Sequence, residues 1–394
     1  MSAPAGVTSA GHRLADALLA RREQLIDVVS EIATCDSAVE ELDCAVRALR
    51  GAGPEIARHG PSARAVAVFL PSNNLLYSYA LFGLVPAMYS ERVWIRPAAR
   101  YAHVAVGLHA ALREAVADLL SGWIDLRSCS QREFMERCGG AEAVVFAGQH
   151  GNGLRVASAL SPETKVLLFG SGPNPLVIGP EARLDEVVPA ALRARLYNVG
   201  QDCLCSDVYF VHAGLAGEFV EALCDALATS RAGDRRSPGT ELAPLVYPDV
   251  AARAERFVSQ HHDLVVRPGR LSDPAGPCPV VLSAPAGLGL HPPEFFCPVF
   301  LVVTYEDVRQ VRAWLGSPQE RARGMYLSVF GEPGLRGSAV EATSVVCAEQ
   351  TSFDFEDGNT PFGGYGAEAS SVSHRGGLSG RPLLLSAELA RGAS

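Results

Sequence analysis

Between residues 65 and 169 the chain alternates short, uninterrupted apolar runs with longer amphipathic stretches. AVAVFL (65–70), VWI (93–95), VVF (144–146) and VLLF (166–169) carry no polar residue, so each suits a strand covered on both faces. LLYSYALFGLV (75–85), YAHVAVGLHAALREAVADLL (101–120) and GNGLRVASAL (151–160) lie between them and read as helices. Parallel strands need long crossover connections, and helices of this length supply them. The expected class is α/β with a mostly parallel sheet. LVI (176–178), VYFV (208–211) and the helix GEFVEALCDAL (217–227) open a second α/β region. Upstream, residues 12–33 read as one amphipathic helix with Leu14, Leu18, Leu25, Val29 and Ile32 on a face. Ser37 and Glu40 fit a capping box that opens a second helix. GAGPEIARHGPSAR (51–64), punctuated by Gly and Pro, reads as a connector.

A length of 394 residues suits two or three domains. The net charge of −9 argues against a nucleic-acid binder, which needs a basic face. Lys165 is the only lysine and lies in no phosphate-loop or Schiff-base motif, which closes those chemistries. No signal peptide or bilayer-length apolar run is visible, and the ten cysteines show no CxxC pairing. That usage reads as reduced thiols, so a cytoplasmic location and no membrane partner are expected. His261 and His262 lack partner ligands at any zinc spacing, and no metal is expected.

The chemistry concentrates in YNVGQDCLCSDVYFVHAGLAGEFVEAL (197–223). A reactive cysteine needs partial exposure and nearby donors that favour the thiolate. A Gly-containing turn aims backbone N–H groups at the sulfur and at an oxyanion formed beside it. Cys203 meets these needs; the alternative is a buried structural thiol.

N-x-G-Q-x-C, followed by a strand and a helix with Glu-Phe near its start, resembles the nucleophile segment of the aldehyde dehydrogenase superfamily. Six further segments follow the family's order: LPSNN (70–74), VWIRP (93–97), VVFAGQHGNG (144–153), GSGPNPLVI (170–178), PEFFCPVF (293–300) and TPFGGYG (360–366). The resemblance spans nearly the whole chain. It implies N-terminal helices and a Rossmann-like NAD(P)-binding domain over 1–169 and a catalytic domain over 170–366. It implies a C-terminal segment, 367–394, that returns to the cofactor domain as an oligomerisation strand. Cys203 would attack the carbonyl carbon, with the Asn73 amide and the Cys203 N–H as oxyanion hole. Glu294 would hold the nicotinamide-side ribose, with Phe296 near the nicotinamide. Pro71, in the LPSNN turn, would help bind the cofactor. Gly148, Gln149 and Gly153 would shape a helix N-terminus facing the pyrophosphate. Arg96 stands where the family has a cofactor-binding lysine.

Four departures shape the functional expectation. The family's general-base glutamate aligns with Phe169. A lost base costs about 10²–10⁴ in the step it serves, enough for a thiol to outcompete water. The expected reaction therefore interconverts an aldehyde and an acyl thioester, on coenzyme A or on an acyl carrier protein. Alternatives are a hydrolytic aldehyde dehydrogenase with a substituted base, for which Glu163 and His150 are candidates, and a non-catalytic degenerate member. Ala99 replaces the carboxylate that binds the adenosine 2′-hydroxyl, which favours NADP over NAD. Cys297 replaces the glycine of the Glu-x-Phe-Gly-Pro segment. The hairpin before the first Rossmann-like strand is shortened, and RPLLLSAEL (381–389) resembles a C-terminal strand left as an exposed edge if unpaired. A homodimer is expected.

Overall fold

A computed structural model describes residues 5–120, 122–335 and 343–390. Its strands in chain order are β1 (Ala63–Leu70), β2 (Ser90–Pro97), β3 (Trp123–Leu126), β4 (Ala143–Ala147), β5 (Lys165–Phe169), β6 (Leu176–Ile178), β7 (Val208–His212), β8 (Val265–Arg267), β9 (Val280–Pro285), β10 (Val299–Tyr305), β11 (Tyr326–Phe330), β12 (Val345–Ala348), β13 (Ser370–His374) and β14 (Gly377–Gly380). They form two seven-stranded sheets, and the chain divides into two compact units. The first holds 1–170, 357–362 and 370–394; the second holds 171–356 and 363–369.

In the first unit the strand order is β14-β13-β5-β4-β1-β2-β3. β1 to β5 are parallel, while β13 and β14 are antiparallel additions at one edge. The parallel core is the one the apolar runs predict: Val66, Ala67, Val68, Val144, Val145 and Leu167 are fully buried. The chain steps outward from β1 to β2 and β3 on one side, then to β4 and β5 on the other. Between β1 and β4 the order reverses, the kind of switch point at whose strand carboxyl ends parallel α/β sheets bind ligands.

Helices cover this sheet, and four differ from the sequence reading. Residues 12–33 form two helices, Ala5–Leu19 and Arg22–Val29, because Arg21 N–H bonds Leu18 C=O and tightens the chain into a turn. All five expected apolar positions are nonetheless buried. The next helix is capped by Thr34 rather than Ser37: the Thr34 hydroxyl accepts from Ser37 N–H at 3.4 Å. That helix, Cys35–His59, runs straight through the expected connector. Its glycines serve close packing, since a Cβ on Gly53 would lie 2.6 Å from Thr8 Oγ1 and one on Gly51 2.1 Å from Asn359 Oδ1. At the other end, Leu383 exchanges two backbone hydrogen bonds with Phe362, and Leu385–Ala390 is a helix instead of a strand. The strands that complete this side of the sheet are β13 and β14, whose polar sequences SSVSH and GLSG carry little strand signal.

In the second unit the order is β12-β11-β6-β7-β10-β9-β8, parallel except for β8. The fully buried Phe210, Phe295, Phe300 and Tyr209 fill its two apolar layers. Both sheets are thus mixed, with Rossmann-like parallel cores. No described helix is long and apolar enough to cross a membrane.

Candidate active site

The first unit gathers most of its expected site residues at one edge. Pro71 and Asn73 follow β1, Arg96 sits one residue before the end of β2, and Gly148 and Gln149 follow β4. These are carboxyl ends of adjacent parallel strands, so the sheet itself brings the residues together. Asn74, with φ of 52°, turns the chain sharply after Asn73 into the helix Leu75–Tyr79. Arg96 is half-buried, and its Nε donates to Cys129 C=O at 3.0 Å. Ala99 is exposed and, as alanine, brings no carboxylate to that end of β2.

Gly148 has φ of 147°, a conformation open only to glycine, and its N–H bonds Phe169 C=O at 2.9 Å. Gln149 then opens the helix His150–Ser158 with no side-chain cap, and a Cβ on Gly151 would meet nothing within 4 Å. An exposed, uncapped helix start beside a permissive glycine suits an anionic group such as a pyrophosphate. Gly153 does different work: it is buried, and a Cβ there would press on Leu168 at 2.8 Å and Phe146 at 3.0 Å. It lets the helix pack closely on β4 and β5.

Phe169 closes β5 with 6% of its surface exposed. Its ring lies 4.9 Å from that of Phe82 and 5.9 Å from that of Phe362. The position therefore holds an aromatic cluster of its own unit. Glu163 cannot stand in for a base there: it pairs with Arg375 at 3.2 Å before the opposite end of β5. That strand spans about 13 Å at 3.3 Å per residue.

The second unit builds the cysteine turn. After the helix Leu184–Leu196, Asn198, Val199 and Gly200 all take positive φ, of 45°, 60° and 79°. Such a run is costly and persists only where surroundings enforce it. A Cβ on Gly200 would lie 2.9 Å from the Cys297 carbonyl carbon, so only glycine fits. Asp202 accepts from Leu204 N–H at 2.8 Å, folding the next residues into an Asx turn. Across 201–207 every residue is buried except Cys203, which is partly exposed. That single opening is what a nucleophile needs and a structural thiol does not.

Several bonds fix the turn. The buried Asn174 amide donates to Cys203 C=O at 2.7 Å and accepts from Tyr326 N–H at 3.3 Å. Ser352 Oγ donates to Leu204 C=O at 2.8 Å, and Gln201 Oε1 accepts from Val246 N–H at 2.9 Å. Arg195 and Asp207, each 1% exposed, form a 2.5 Å ion pair beneath the turn. Asp207 Oδ1 also accepts from Phe295 N–H at 3.1 Å, tying in the loop of Glu294 and Phe296. Phe296 has φ of 53° and sets its ring 5.7 Å from that of Tyr247. Cys297, in the family's glycine position, is fully buried, so its thiol is packing.

The electrostatics are acidic. Although Cys203 keeps part of its surface open, its surroundings desolvate the thiol and push it well above its usual value, reinforced by Asp202, Glu294, Cys205 and Glu356. Burial, then Asp207, push the Glu294 carboxyl up to about 7, against a hydrogen bond from Ser171 and the charges of Arg253 and Arg195. The shift at Cys203 favours the neutral thiol, and positive charge or a base brought beside it would favour the thiolate. The sequence singles out Cys203 and Glu294, and the structure surrounds their segments with Asn174, Arg195, Asp207 and Glu356, which the sequence does not single out. Asn174 lies in the GSGPNPLVI segment, and only the structure shows its amide buried against the turn. Among the described residues, no group of three or more His, Cys, Asp or Glu is placed to hold a metal ion.

A sequence model described as the aldehyde dehydrogenase family matches residues 13–379. The chain is 28% identical over 180 residues to a probable NADP⁺ succinate-semialdehyde dehydrogenase of Synechocystis, covering 44% of this chain and 39% of that protein. It is 27% identical over 219 residues to an NADP⁺ succinate-semialdehyde dehydrogenase of Mycobacterium leprae, covering 50% and 48%. These alignments span less than half the length of those relatives. In fold, it is similar to the crystal structure of glyceraldehyde-3-phosphate dehydrogenase from Methanocaldococcus jannaschii complexed with NADP. That match has a TM-score of 0.80 at 16% identity, covering 98% of this chain and 86% of that one. The long family match, the paired mixed sheets and the partly exposed cysteine in its Gly-Gln turn agree: this chain belongs to the aldehyde dehydrogenase family.

Proposed function

We propose that the protein is an NADP-dependent aldehyde oxidoreductase that works through an acyl-Cys203 intermediate and passes the acyl group to a thiol. The Cys203 thiol adds across the aldehyde carbonyl, its proton ending on the oxygen; loss of hydride from the carbon and of that proton to solvent leaves a thioester on the sulfur. NADP⁺, when bound, accepts that hydride. Asn73 keeps the oxyanion role that the resemblance implies, and Pro71, Gly148, Gln149 and Arg96 line the edge suited to the dinucleotide. Glu294 and Phe296 serve its nicotinamide end. Arg96 without a carboxylate at Ala99 supports NADP over NAD, since a guanidinium pairs with a 2′-phosphate.

The observation that carries the thiol acceptor is Phe169. The resemblance implies a water-activating carboxylate at this position; here a buried ring packs against Phe82 and Phe362 instead, and no base stands there. Coenzyme A or a carrier-protein thiol then takes the acyl group, and the same chemistry in reverse reduces a thioester. A second reading is hydrolysis with a substituted base, favoured by Glu294, whose carboxyl at about 7 is poised to take a proton near neutrality.

Pre-steady-state NAD(P)H absorbance separates them. A burst near one equivalent that stalls, and resumes only with coenzyme A, supports thiol transfer. Sustained turnover without any thiol overturns it in favour of hydrolysis. No burst and no turnover across a panel of aldehydes with either cofactor would mark a non-catalytic member.

A further inference from the structure

The cysteine turn is a seven-residue loop, Gly200–Ser206, whose two ends are held by one side chain. Arg195 NH2 donates to Gly200 C=O at 2.7 Å and NH1 donates to Ser206 C=O at 3.0 Å. Those carbonyls stand three residues before and three after Cys203. NH1 also meets Asp207 Oδ1, which accepts from Phe295 N–H, the residue after Glu294. A planar fork with fixed donor directions thus bridges the mouth of the loop and links it to the Glu294 segment.

The pair is poorly explained as a stability device. Two charges in a fully buried place cost several kcal/mol of desolvation, and well-packed apolar residues of similar volume often serve stability equally well. Moreover, Arg195 Nε and Asp207 Oδ2 are buried without a hydrogen-bond partner among the described residues. The satisfied atoms are those that grip the loop and the Phe295 amide. The strained run Asn198–Gly200 needs such an external hold, because nothing in Val199 favours φ of 60°.

We propose that Arg195, with Asp207, is a positioning residue for Cys203: its guanidinium holds the Gly200–Ser206 loop closed and in register with the Glu294 segment, setting the direction in which the thiol emerges. This rests on the reading that Cys203 is the nucleophile. Arg195 touches neither substrate nor cofactor in this role; it acts through the backbone of the turn.

The test uses the full chain and two variants. Arg195→Lys keeps the charge and can reach Asp207, but loses the fork that spans both carbonyls. Arg195→Met with Asp207→Leu removes the pair as a unit and leaves no buried lone charge. The primary readout needs no substrate: the rate of iodoacetamide alkylation at Cys203, followed by peptide mapping across pH 6–10. The second is kcat and KM over an aldehyde panel with NADP⁺. We expect kcat to fall about tenfold or more with KM within about threefold, as a small misplacement of a reacting group costs. The alkylation profile should shift in the same variants, with melting temperature near that of the parent in the double variant. Wild-type alkylation and kcat in a folded double variant overturn the inference. If the double variant does not fold, Arg195→Lys decides by the same criterion. Cys203→Ala separates the two levels: lost turnover there with an unchanged Arg195→Lys sinks only the positioning role. Full turnover in Cys203→Ala sinks the functional reading itself.

Discussion

Replacing Phe169 by alanine tests whether that position is a structural site rather than a vacated catalytic one. The ring has 6% exposure and two aromatic neighbours, at 4.9 and 5.9 Å. A phenylalanine buries about 150–250 Å². At about 25 cal/mol per Å² that is roughly 4–6 kcal/mol of transfer free energy, an upper figure because the unfolded chain already buries part of it. Phe→Ala changes in cores cost about 3–5 kcal/mol, and we expect Phe169→Ala to fall there. For a unit of this size 1 kcal/mol lowers the melting temperature by about 2–4 °C, giving a drop of roughly 6–20 °C. Phe169→Leu keeps most of the volume and should lose about 1–2 kcal/mol. Calorimetry with near-UV circular dichroism reads both. A Phe169→Ala protein melting within about 2 °C of the parent would refute the argument, because the ring could then not be part of a packed cluster. Phe169→Glu should be at least as destabilised as the alanine variant. It should not gain hydrolysis at pH 7, since a carboxyl in that cage is held protonated by burial.

Three further outcomes follow from the geometry. Arg96→Ala should weaken NADP⁺ binding about 10–100-fold while changing NAD⁺ affinity little, as expected for loss of a charge-assisted contact to a 2′-phosphate; titration calorimetry with both cofactors checks it. Gly148→Ala should cost about 1–3 kcal/mol in thermal unfolding, because φ of 147° is closed to a residue with a Cβ. Glu294, raised from 4.5 to about 7, binds its proton more tightly folded than unfolded, so its contribution to stability is full below pH 4.5 and lost as pH rises through 7. Glu294→Gln should therefore gain stability relative to the parent between pH 5 and 8, by about 1–3 kcal/mol, and an unchanged pH–stability slope would count against the burial of that carboxyl.

The parallel core and the cysteine turn were legible because their signals are local. Four apolar runs mark β1, β2, β4 and β5, and N-x-G-Q-x-C marks the turn. What escaped depends on partners distant in sequence. Gly51 and Gly53 look like loop punctuation until Thr8 and Asn359 are seen against them. Arg195 reads as an ordinary basic residue in the last turn of a helix, where it would favour the dipole from the surface. Only the left-handed run that follows folds the chain back over it. The helix at Leu385–Ala390 departs from the C-terminal strand that the resemblance implies for RPLLLSAEL, and PLLL is apolar over too few residues to show a helical period against it. Asp207 gives no warning at all: a carboxylate just before an apolar strand is usually solvated, and its buried partner lies twelve residues back.

The pairing of β13 with β5 has a consequence for how the protein is made. Strand β5 leaves the first sheet, about 200 residues of the second unit intervene, and only then does β13 arrive to cover its edge. During synthesis β5 waits as a bare edge of LLF and backbone amides while the second sheet emerges. The apolar helices and β1 to β4 can assemble early, but the sheet is sealed late, by a polar hairpin that contributes backbone bonds and little else. Residues 1–170 expressed alone should therefore be prone to aggregate through that edge. Supplying a peptide spanning 370–380 in trans would be expected to cap it.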